Sequence, residues 1–462
     1  MCEIHWKNAY ELRTPKDDGI TKLPFCIRPV GYLNWMNSHR DRILTRLQNS
    51  FGPRTVKSYG LRDSWPRLLL DGYDFWPRLR QKQGSDTVRT RLMGSPVACV
   101  YGEEAARFFY TEPSLERSTA LPELVVGSLF GRGAVHTLDG AQHQSRKSMF
   151  TSLLDAQAVA DISSQVRNEW DRTIAPRGSV NDLFTETSEM LVSAACDWLG
   201  LDLPAHDVPG RAADMVAMID GFGSVGPRQI KARLARRRSE QWIEDAIGEA
   251  PGSALSAISA HQDEDGGRLS AKTAAVEVIN LIRPIVAISW FVAYSAHALE
   301  SHPELRGELT DVEFTPVDFA HEVRRRYPFA PFLMARASKP LTQLGLDLPE
   351  GGLIALDLWA TNHDPRLWDD PLAFSPQRFR DHTITPYDLI PQGGGDAETG
   401  HRCPGEDTTI AVLATLVPRL ADLDFTFGRV PPSIETGRFP ARLRGRVTGT
   451  RAAVPIIGEE NL

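Results

Sequence analysis

The chain has 462 residues, of which 42% are hydrophobic, and its formal net charge is −7. A chain of this length can bury a large core, and a modest negative charge implies neither nucleic acid nor an anionic membrane surface as a partner. The five cysteines show no Cys-x-x-Cys spacing and no signal peptide precedes them, which argues against structural zinc and a disulfide framework and predicts a reducing, cytoplasmic location: Cys2, Cys26, Cys99, Cys196 and Cys403.

The first 58 residues are predicted to form an N-terminal extension of unknown role. Five apolar residues in it recur at near-helical spacing and predict a short amphipathic helix at about residues 32–50: Leu33, Met36, Ile43, Leu44 and Leu47. This helix would either dock on the following domain or precede a translation start further in, for which Met36 is a candidate.

From Ser64 onward the pattern predicts a regular, mainly helical domain. The run Leu68-Leu69-Leu70 with Gly72-Tyr73 is expected to open a helix, residues 97–102 to form a strand and turn, and residues 104–110 to form a helix. Helices dominate after that, and a glycine-rich segment at 221–227 separates two of them. The basic run 231–238 that follows is interpreted as a solvated helix face, with a hinge that gates a channel as the alternative.

A long helix is predicted from about residue 272 to 301. Its apolar stretch 285–299 contains Ser289, Ser295 and His297 and falls short of the ~18 apolar residues of a membrane span, so a buried helix and no membrane span are expected. Pro284 inside this helix predicts a kink and a groove. The neighbouring Arg283 is costly to bury without an anion. Two anions remain open at this point, the protein carboxylate of Glu277 and the carboxylate of a bound substrate.

Two polar motifs follow the long helix. Glu322 and Arg325 lie three residues apart on one helical face, where a surface ion pair would contribute only about 0.2–0.5 kcal/mol. The prolines of the run 327–332 are expected to end this helix. A Pro-x-Arg-Phe turn that contains Arg378 comes next, at residues 376–379.

Cys403 lies in the run Gly400-His401-Arg402-Cys403-Pro404-Gly405-Glu406, which opens into an apolar helix. A helix N-terminus favours a thiolate, and the glycines allow the backbone to approach a flat cofactor. Such a thiolate can bind iron. A single buried cysteine, however, is more often a small hydrophobic residue.

The order of the Glu-x-x-Arg helix, the Pro-x-Arg-Phe turn and the Cys-x-Gly loop resembles the cytochrome P-450 superfamily of haem-thiolate enzymes. Four further segments look like its bacterial fatty-acid peroxygenase and decarboxylase branch: AVHTLDG at 134–140, LIRPIVA at 281–287, TNHDPRLW at 361–368 and IPQGGG at 390–395. Most members of the superfamily carry glycine four residues before the cysteine, where this chain has Thr399, and the peroxygenase branch shares that altered loop.

The resemblance implies a mainly α fold with small β-sheets, formed by a single haem-thiolate catalytic domain over residues 59–462. It implies haem b as the cofactor and Cys403 as the axial ligand of its iron. It further implies that Glu322, Arg325 and Arg378 form a salt-bridged cluster that supports the haem loop. The cations expected near the haem propionates are Arg117, His143, Arg146, Lys147 and His401.

The resemblance also implies the activity. Conventional monooxygenases of the superfamily carry an acid–alcohol pair in the long helix, and here Arg283 and Pro284 hold that place. A fatty-acid carboxylate bound to Arg283 would then act as the general acid–base for hydrogen peroxide, without a reductase. A carboxylate fixed there confines oxidation to the alpha and beta carbons.

His136 occupies the position at which typical hydroxylating members carry glutamine and a known alkene-forming decarboxylase carries histidine. A histidine that titrates near neutrality would divert some substrate from hydroxylation to decarboxylation, and a neutral, hydrogen-bonded loop histidine is the alternative. Walls for the alkyl chain, or ordinary core, are expected at Phe130, Val225, Phe329 and Ala330.

Two other function classes stay open. A reductase-fed monooxygenase would need an acid–alcohol pair in the long helix, but between residues 276 and 296 the only acid is Glu277 and no threonine follows it. A non-catalytic haem sensor is possible by analogy alone, and it would leave Arg283 and Pro284 without a purpose.

Overall fold

The computed structural model describes residues 62–247, 253–311, 313–429 and 431–452. These residues belong to one compact unit. The predicted extension and its amphipathic helix at 32–50 lie outside the described residues. Within the described part the fold is mainly helical with small β-sheets, as predicted.

The described part of the chain contains fifteen α-helices. The longest, α11, runs through the centre of the domain and packs against α7 and α15. In chain order the helices are α1 Trp65–Asp71, α2 Phe75–Gln83, α3 Glu103–Thr111, α4 Glu123–Val125, α5 Gly140–Leu153, α6 Ala156–Thr173, α7 Leu183–Leu199, α8 Val208–Asp220, α9 Pro227–Ala246, α10 Ala254–Ala260, α11 Ala271–Ser301, α12 Leu305–Asp311, α13 Pro316–Arg326, α14 Leu358–Asn362 and α15 Glu406–Ala421.

Ten strands form three small sheets within the residues that the structure describes. The largest has the order β1-β2-β6-β5-β3, in which β2 and β6 are parallel and the other pairs are antiparallel. A second sheet has the order β4-β10-β7, and β8 pairs with β9. The strands are β1 Val88–Leu92, β2 Ser95–Val100, β3 Leu115–Glu116, β4 Ser179–Val180, β5 Phe332–Ala337, β6 Leu353–Asp357, β7 Leu423–Phe427, β8 Ile434–Glu435, β9 Arg442–Leu443 and β10 Val447–Arg451.

Helix α11 carries apolar residues on all sides, and it can therefore be surrounded by other helices. The Ser270 hydroxyl accepts a hydrogen bond from the Thr273 amide and caps its first turn. The helix is long and apolar enough to cross a membrane, but 94% of its most apolar window is buried inside the protein. This burial is typical of a core helix, as the sequence predicted.

The remaining predictions of local structure have mixed outcomes. The strand near 97–102, the helix near 104–110 and the break at 221–227 are confirmed by β2, α3 and the gap between α8 and α9. The expectation that Leu68-Leu69-Leu70 with Gly72-Tyr73 opens a helix is wrong, because α1 begins at Trp65 and Gly72 ends it. Gly72 has a φ of +56°, and a Cβ there would lie 2.1 Å from the Thr436 carbonyl oxygen.

The basic run 231–238 is not a uniformly solvated face. The Arg236 side chain is 2% exposed and donates hydrogen bonds to the Leu129 and Val276 carbonyl oxygens, while Nε pairs with Glu240 at 2.6 Å. Lys231 and Arg237 do face solvent. The prediction was therefore wrong for Arg236, since its charge can be buried only with these partners.

Candidate active site

A cavity of about 360 Å³ extends between α11 and the loop that carries Cys403. Residues far apart in the sequence line it, among them residues of α1 and the Phe439-Pro440 pair. The predicted site residues that line the cavity are Phe130, His136, His143, Lys147, Arg283, Pro284, Phe329, Ala330, His401 and Cys403. The fold therefore brings most of the predicted site together.

Cys403 is held in the loop before α15. Its amide N–H donates to the Gln392 carbonyl oxygen at 3.1 Å, and the Gln392 side-chain amide lies 3.8 Å from Sγ. Arg324 donates to the other end of that amide at 2.8 Å, which fixes its orientation. Burial raises the pKa of the Cys403 thiol, while the Gly405 backbone N–H lowers it. The two other described cysteines, Cys99 and Cys196, are fully buried outside the cavity.

The predicted cluster of Glu322, Arg325 and Arg378 lies beneath this loop region. The Arg325 guanidinium forms a two-bond pair with the Glu322 carboxylate at 2.7 and 2.8 Å, and both side chains are fully buried. Arg378 Nε approaches the same carboxylate at 3.3 Å. Because the pair is buried, it is not the weak surface pair that spacing alone would indicate.

Arg283 projects from α11 into the cavity without an acidic partner among the described residues. It is 7% exposed, and its Nε atom has no hydrogen-bond acceptor. The guanidinium donates one 3.3 Å hydrogen bond to Asn280 and lies 5.6 Å from the centre of the Phe130 ring. Burial, together with the charge of Arg236, lowers the pKa of Arg283 to about 9. A buried cation in this state favours the binding of an anion.

Glu277 is not that anion, so the alternative of a protein carboxylate for Arg283 is wrong. Its carboxylate accepts hydrogen bonds from the Arg146 guanidinium at 2.7 Å, the Val135 amide at 2.8 Å and Asn280 at 3.0 Å. Asn280 thus stands between Glu277 and Arg283. The same carboxylate also ties α11 to the loop that carries His136.

His136 stacks on Phe130 with ring centroids 4.2 Å apart, and its Nδ1 atom is shielded from solvent without a partner. Burial and the nearby Arg283 and Lys147 charges hold the pKa of His136 well below its ordinary value. The expectation that this histidine titrates near neutrality is therefore wrong. The alternative, a neutral histidine in a loop, agrees with this low pKa. Its Nδ1 atom, however, lacks the hydrogen bond that this alternative includes.

Three of the predicted cations group together in the cavity. The His143 and His401 rings stack with centroids 3.9 Å apart, and Lys147 donates to the Arg402 carbonyl oxygen. Burial lowers the pKa of His143 to about 4 and that of Lys147 to about 8. Lys147 can therefore pair with a carboxylate of a cofactor as a cation, whereas the two neutral histidines can only donate a hydrogen bond to one.

The two remaining predicted cations do not line the cavity. Arg146 is engaged in ion pairs with Glu277 at 2.7 Å and Asp263 at 2.5 Å, and its role at a propionate stays a prediction. Arg117 is 8% exposed and lies 3.8 Å from the centre of the Phe109 ring. Its guanidinium makes only 3.4 Å hydrogen bonds, to the Phe109 and Met334 carbonyl oxygens, and its predicted role stays a prediction.

Val225 is 55% exposed and lies outside the cavity, so its assignment as a wall residue is wrong. The wall is formed instead by Phe222 and Gly223, three and two positions earlier. The sequence also missed Asn280, Gln392 and the Phe439-Pro440 pair. Asn280 had a detectable signal, because it lies one helical turn before Arg283.

The donors present fit the haem that the resemblance implies. The described part of the cavity combines a sulfur donor, mainly apolar walls and a group of hydrogen-bond donors that includes the Lys147 cation, which match iron, a porphyrin ring and carboxylates respectively. Gly393 has a φ of +92°, and a Cβ there would lie 3.0 Å from the Tyr110 hydroxyl oxygen. Glycine thus allows the backbone of the cavity-lining loop to pass close to Tyr110.

Comparison with known proteins identifies relatives in two ways. The cytochrome P-450 family profile matches residues 317–412. The 7-ethoxycoumarin O-deethylase of Helianthus tuberosus is 40% identical over 104 residues, or 21% of this chain and 19% of that protein. The (+)-menthofuran synthase of Mentha piperita is 30% identical over 111 residues, or 23% and 22%. The chain spans about a fifth of the length of these curated relatives.

Solved structures match nearly the whole described part. Cytochrome P450EX alpha (CYP152N1) with myristic acid is 35% identical, with a TM-score of 0.80, and the match covers 84% of this chain and 96% of that one. Ligand-free cytochrome P-450 OleT is 31% identical, with a TM-score of 0.80 and coverage of 85% and 98%. Cytochrome P450SP alpha (CYP152B1) in complex with (R)-ibuprophen is 35% identical, with a TM-score of 0.80 and coverage of 84% and 98%.

Proposed function

Because the chain belongs to the cytochrome P-450 family, in its fatty-acid peroxygenase and decarboxylase branch, we propose that it oxidises long-chain fatty acids with hydrogen peroxide. The expected products are alpha- and beta-hydroxylated acids together with some terminal alkene one carbon shorter. No reductase takes part. A cytoplasmic location stays a prediction.

The observation that carries this proposal is Arg283, a buried guanidinium without an acidic partner in the described structure, which lines the same cavity as Cys403. A fatty-acid carboxylate supplies the missing anion, and the apolar walls accept its alkyl chain. The myristic acid complex of the relative cytochrome P450EX alpha supports this substrate class.

The cofactor would be haem b, with Cys403 to hold its iron and Lys147, His143 and His401 to hold its carboxylates. When bound, the haem would supply an iron atom, to which the Cys403 thiolate donates electron density. Such a ligand favours cleavage of an oxygen–oxygen bond. Gln392 would orient its amide toward the sulfur.

Helix α11 offers no acid–base group of its own. Its one acid near Arg283 is Glu277, which is fully buried and shared by Arg146, Val135 and Asn280. The substrate carboxylate on Arg283 would therefore take a proton from hydrogen peroxide and return it to the departing oxygen. The same anchor would hold the alpha and beta carbons next to the reacting centre.

The experiment that tests the function is peroxide-driven oxidation of myristic acid by the wild type and by Arg283→Leu. We expect turnover by the variant to fall by at least about a hundredfold, because it loses both the anchor and the acid–base group. Haem incorporation should persist, as seen in the red-shifted band of the reduced carbon monoxide complex that reports thiolate ligation.

Arg419→Leu is a suitable control, since Arg419 is a partly exposed arginine that pairs with Asp171 away from the cavity. It should retain full activity. Full activity of Arg283→Leu toward myristic acid would contradict the proposal, and so would activity that requires a reductase and its electron donor instead of peroxide.

A further inference from the structure

Two segments of this acidic chain are strongly basic. Residues 225–238 contain six basic residues and no acid, and residues 428–452 contain six arginines and one acid, in a chain whose net charge is −7. The basic residues are Arg228, Lys231, Arg233, Arg236, Arg237 and Arg238 in the first segment and Arg429, Arg438, Arg442, Arg444, Arg446 and Arg451 in the second. The two stretches together carry twelve basic residues and a single acid, Glu435.

The fold brings these two segments together. Arg228 donates to the Phe439 carbonyl oxygen at 3.3 Å, and its Nε pairs with Asp220 at 3.2 Å. Arg438 pairs with the same carboxylate, and Arg442 lies 3.7 Å from it. Three arginines therefore share one acid. We call the surface formed by residues 225–238 and 436–446 the basic rim.

The acids that face the basic rim neutralise only part of its charge. Besides Asp220, they are Asp214 with Arg238, Glu240 with Arg236, Glu435 near Arg438 and Arg444, and Asp182 near Arg446. Lys231 and Arg237 form no ion pair within the residues that the structure describes. A surplus of solvent-facing cations remains.

Apolar side chains stand among these cations. Val225, Ile230 and Leu234 are 55%, 60% and 47% exposed, and they are three of the seven large hydrophobic residues exposed in the described structure. Ile230 and Leu234 lie one turn apart on α9, with Lys231 and Arg237 on the same solvent-facing side of the helix. Exposed apolar residues within a basic helix face are typical of a segment that lies on a lipid surface.

The basic rim lies where the cavity reaches the surface. Phe222 and Gly223 precede it directly and line the cavity, as does Phe439 within it. The partly exposed Trp65 and Leu69 of α1 line the same cavity. A Cβ on Gly223 would lie 3.1 Å from the Phe439 ring, so these segments form one edge of the opening.

We propose that the basic rim docks on a negatively charged lipid surface, with Ile230 and Leu234 inserted at the level of the headgroups. The net charge of −7 does not oppose this contact, because charges beyond about 8–10 Å are screened at physiological salt. This proposal differs from the expectation, drawn from the net charge, that no anionic membrane surface is a partner. Docking does not depend on the proposed oxidation, although delivery of fatty acids from the lipid into the cavity does.

Co-sedimentation of the haem-loaded full chain with vesicles tests the proposal. We expect binding to vesicles of phosphatidylcholine mixed with phosphatidylglycerol, weaker binding to phosphatidylcholine alone, and loss of the difference in high salt. The double variant Lys231→Glu with Arg237→Glu should lower the partition constant by more than about tenfold. Ile230→Ser should lower it several-fold on both kinds of vesicle.

The matched control is the double variant Arg268→Glu with Lys272→Glu, which changes the net charge equally at two exposed residues outside the basic rim. Leu372→Ser removes a hydrophobic side chain that is 65% exposed elsewhere. Both controls should bind like the wild type, and circular dichroism checks that every variant is folded. No binding by the wild type would overturn the proposal and point to an acidic protein as the partner. Equal losses in the controls would also overturn it. Neither outcome would bear on peroxide-driven oxidation in solution.

Discussion

Asn280 is the residue that connects Arg283 to the rest of the protein. Its side-chain amide donates to Glu277 and to the Phe130 carbonyl oxygen, each at 3.0 Å, and its oxygen accepts from Arg283. Phe130 and Arg283 line the cavity, and Glu277 lies next to it. Asn280 therefore positions the Arg283 guanidinium rather than contacting the reacting atoms itself.

Replacement of Asn280 should affect substrate binding more than turnover. Asn280→Ala removes one hydrogen bond to Arg283, with a net value of about 1 kcal/mol, so we expect the KM for myristic acid to rise about fivefold and kcat to change less. Asn280→Asp should raise KM much further, since its new carboxylate competes with the substrate for Arg283. Equal KM values for the two variants would contradict a positioning role.

His136 is predicted to set the share of decarboxylation as a neutral residue. Hydroxylation and decarboxylation diverge late, so one neighbouring side chain shifts their ratio when the competing barriers differ by about 1–2 kcal/mol. We expect His136→Gln to lower the alkene share. Because the pKa of His136 lies well below its ordinary value, the wild-type ratio should not change between pH 6.5 and pH 8. Chromatography of both product types from myristic acid measures the ratio, and an unchanged ratio in the variant would assign control to substrate geometry.

At the residue scale, sequence identified the types of group in the site better than their partners. Arg283 was recognisable because a charged side chain in an apolar helix needs an anion, and Cys403 was recognisable because its loop follows a Glu-x-x-Arg helix and a Pro-x-Arg-Phe turn. Adjacent residues on a helix point about 100° apart, so only one of Arg146 and Lys147 can face the cavity. The sequence alone did not show which of the two it is. The low pKa of His136 was not predictable either, because it depends on burial by distant segments.

At the scale of elements, α13 is joined to the following loops by the Glu322 carboxylate. Besides Arg325 and Arg378, this carboxylate accepts a 2.9 Å hydrogen bond from the Ser375 amide. Arg325 donates in turn to the carbonyl oxygens of Asn362, Pro371 and Ala373. The pair therefore holds three chain segments in place below the cavity.

Loss of this carboxylate should be far more costly than loss of a surface pair with similar spacing. Glu322→Gln leaves the buried Arg325 without its counter-charge, and we expect a loss of about 3–5 kcal/mol in the free energy of unfolding. Glu103→Gln breaks the exposed pair with Arg107 on α3 and should cost at most about 0.5 kcal/mol. Denaturant unfolding of both variants measures the contrast, and similar costs would contradict a supporting role for the cluster.

Sequence predicted the elements that depend on local pattern and missed those that depend on distant contacts. The long apolar run of α11 and the prolines after α13 are local signals: α11 has nearly the predicted bounds, and α13 ends at Arg326, just before the prolines. Phe439 and Pro440 lie far along the chain from α1, yet both line the same cavity as Trp65. No periodicity within either segment indicates that contact.

At the scale of the whole molecule, burial of histidines couples folding to pH. Burial and the Arg326 charge lower the pKa of His297 to about 4, and burial and Arg325 lower that of His363 to about 3. Both lie away from Cys403, on α11 and after α14. Since the unfolded chain protonates its histidines near pH 6.5, it binds more protons than the folded protein between pH 6.5 and about pH 4. Stability is therefore fully present above pH 6.5 and is lost as the pH falls through this window.

His297→Gln isolates one part of this effect. The variant retains a polar group for the Tyr327 hydroxyl, which lies 2.8 Å from His297 Nδ1, but it can no longer take up a proton. From pH 7 to pH 5 the wild type should lose roughly 2 kcal/mol more stability than the variant. Thermal unfolding of the haem-loaded proteins at both pH values measures this difference. His206→Gln, at a side chain that is 81% exposed, should follow the wild type. If His297→Gln also follows the wild type, His297 does not contribute to acid destabilisation, and the carboxylates of the folded protein account for it instead.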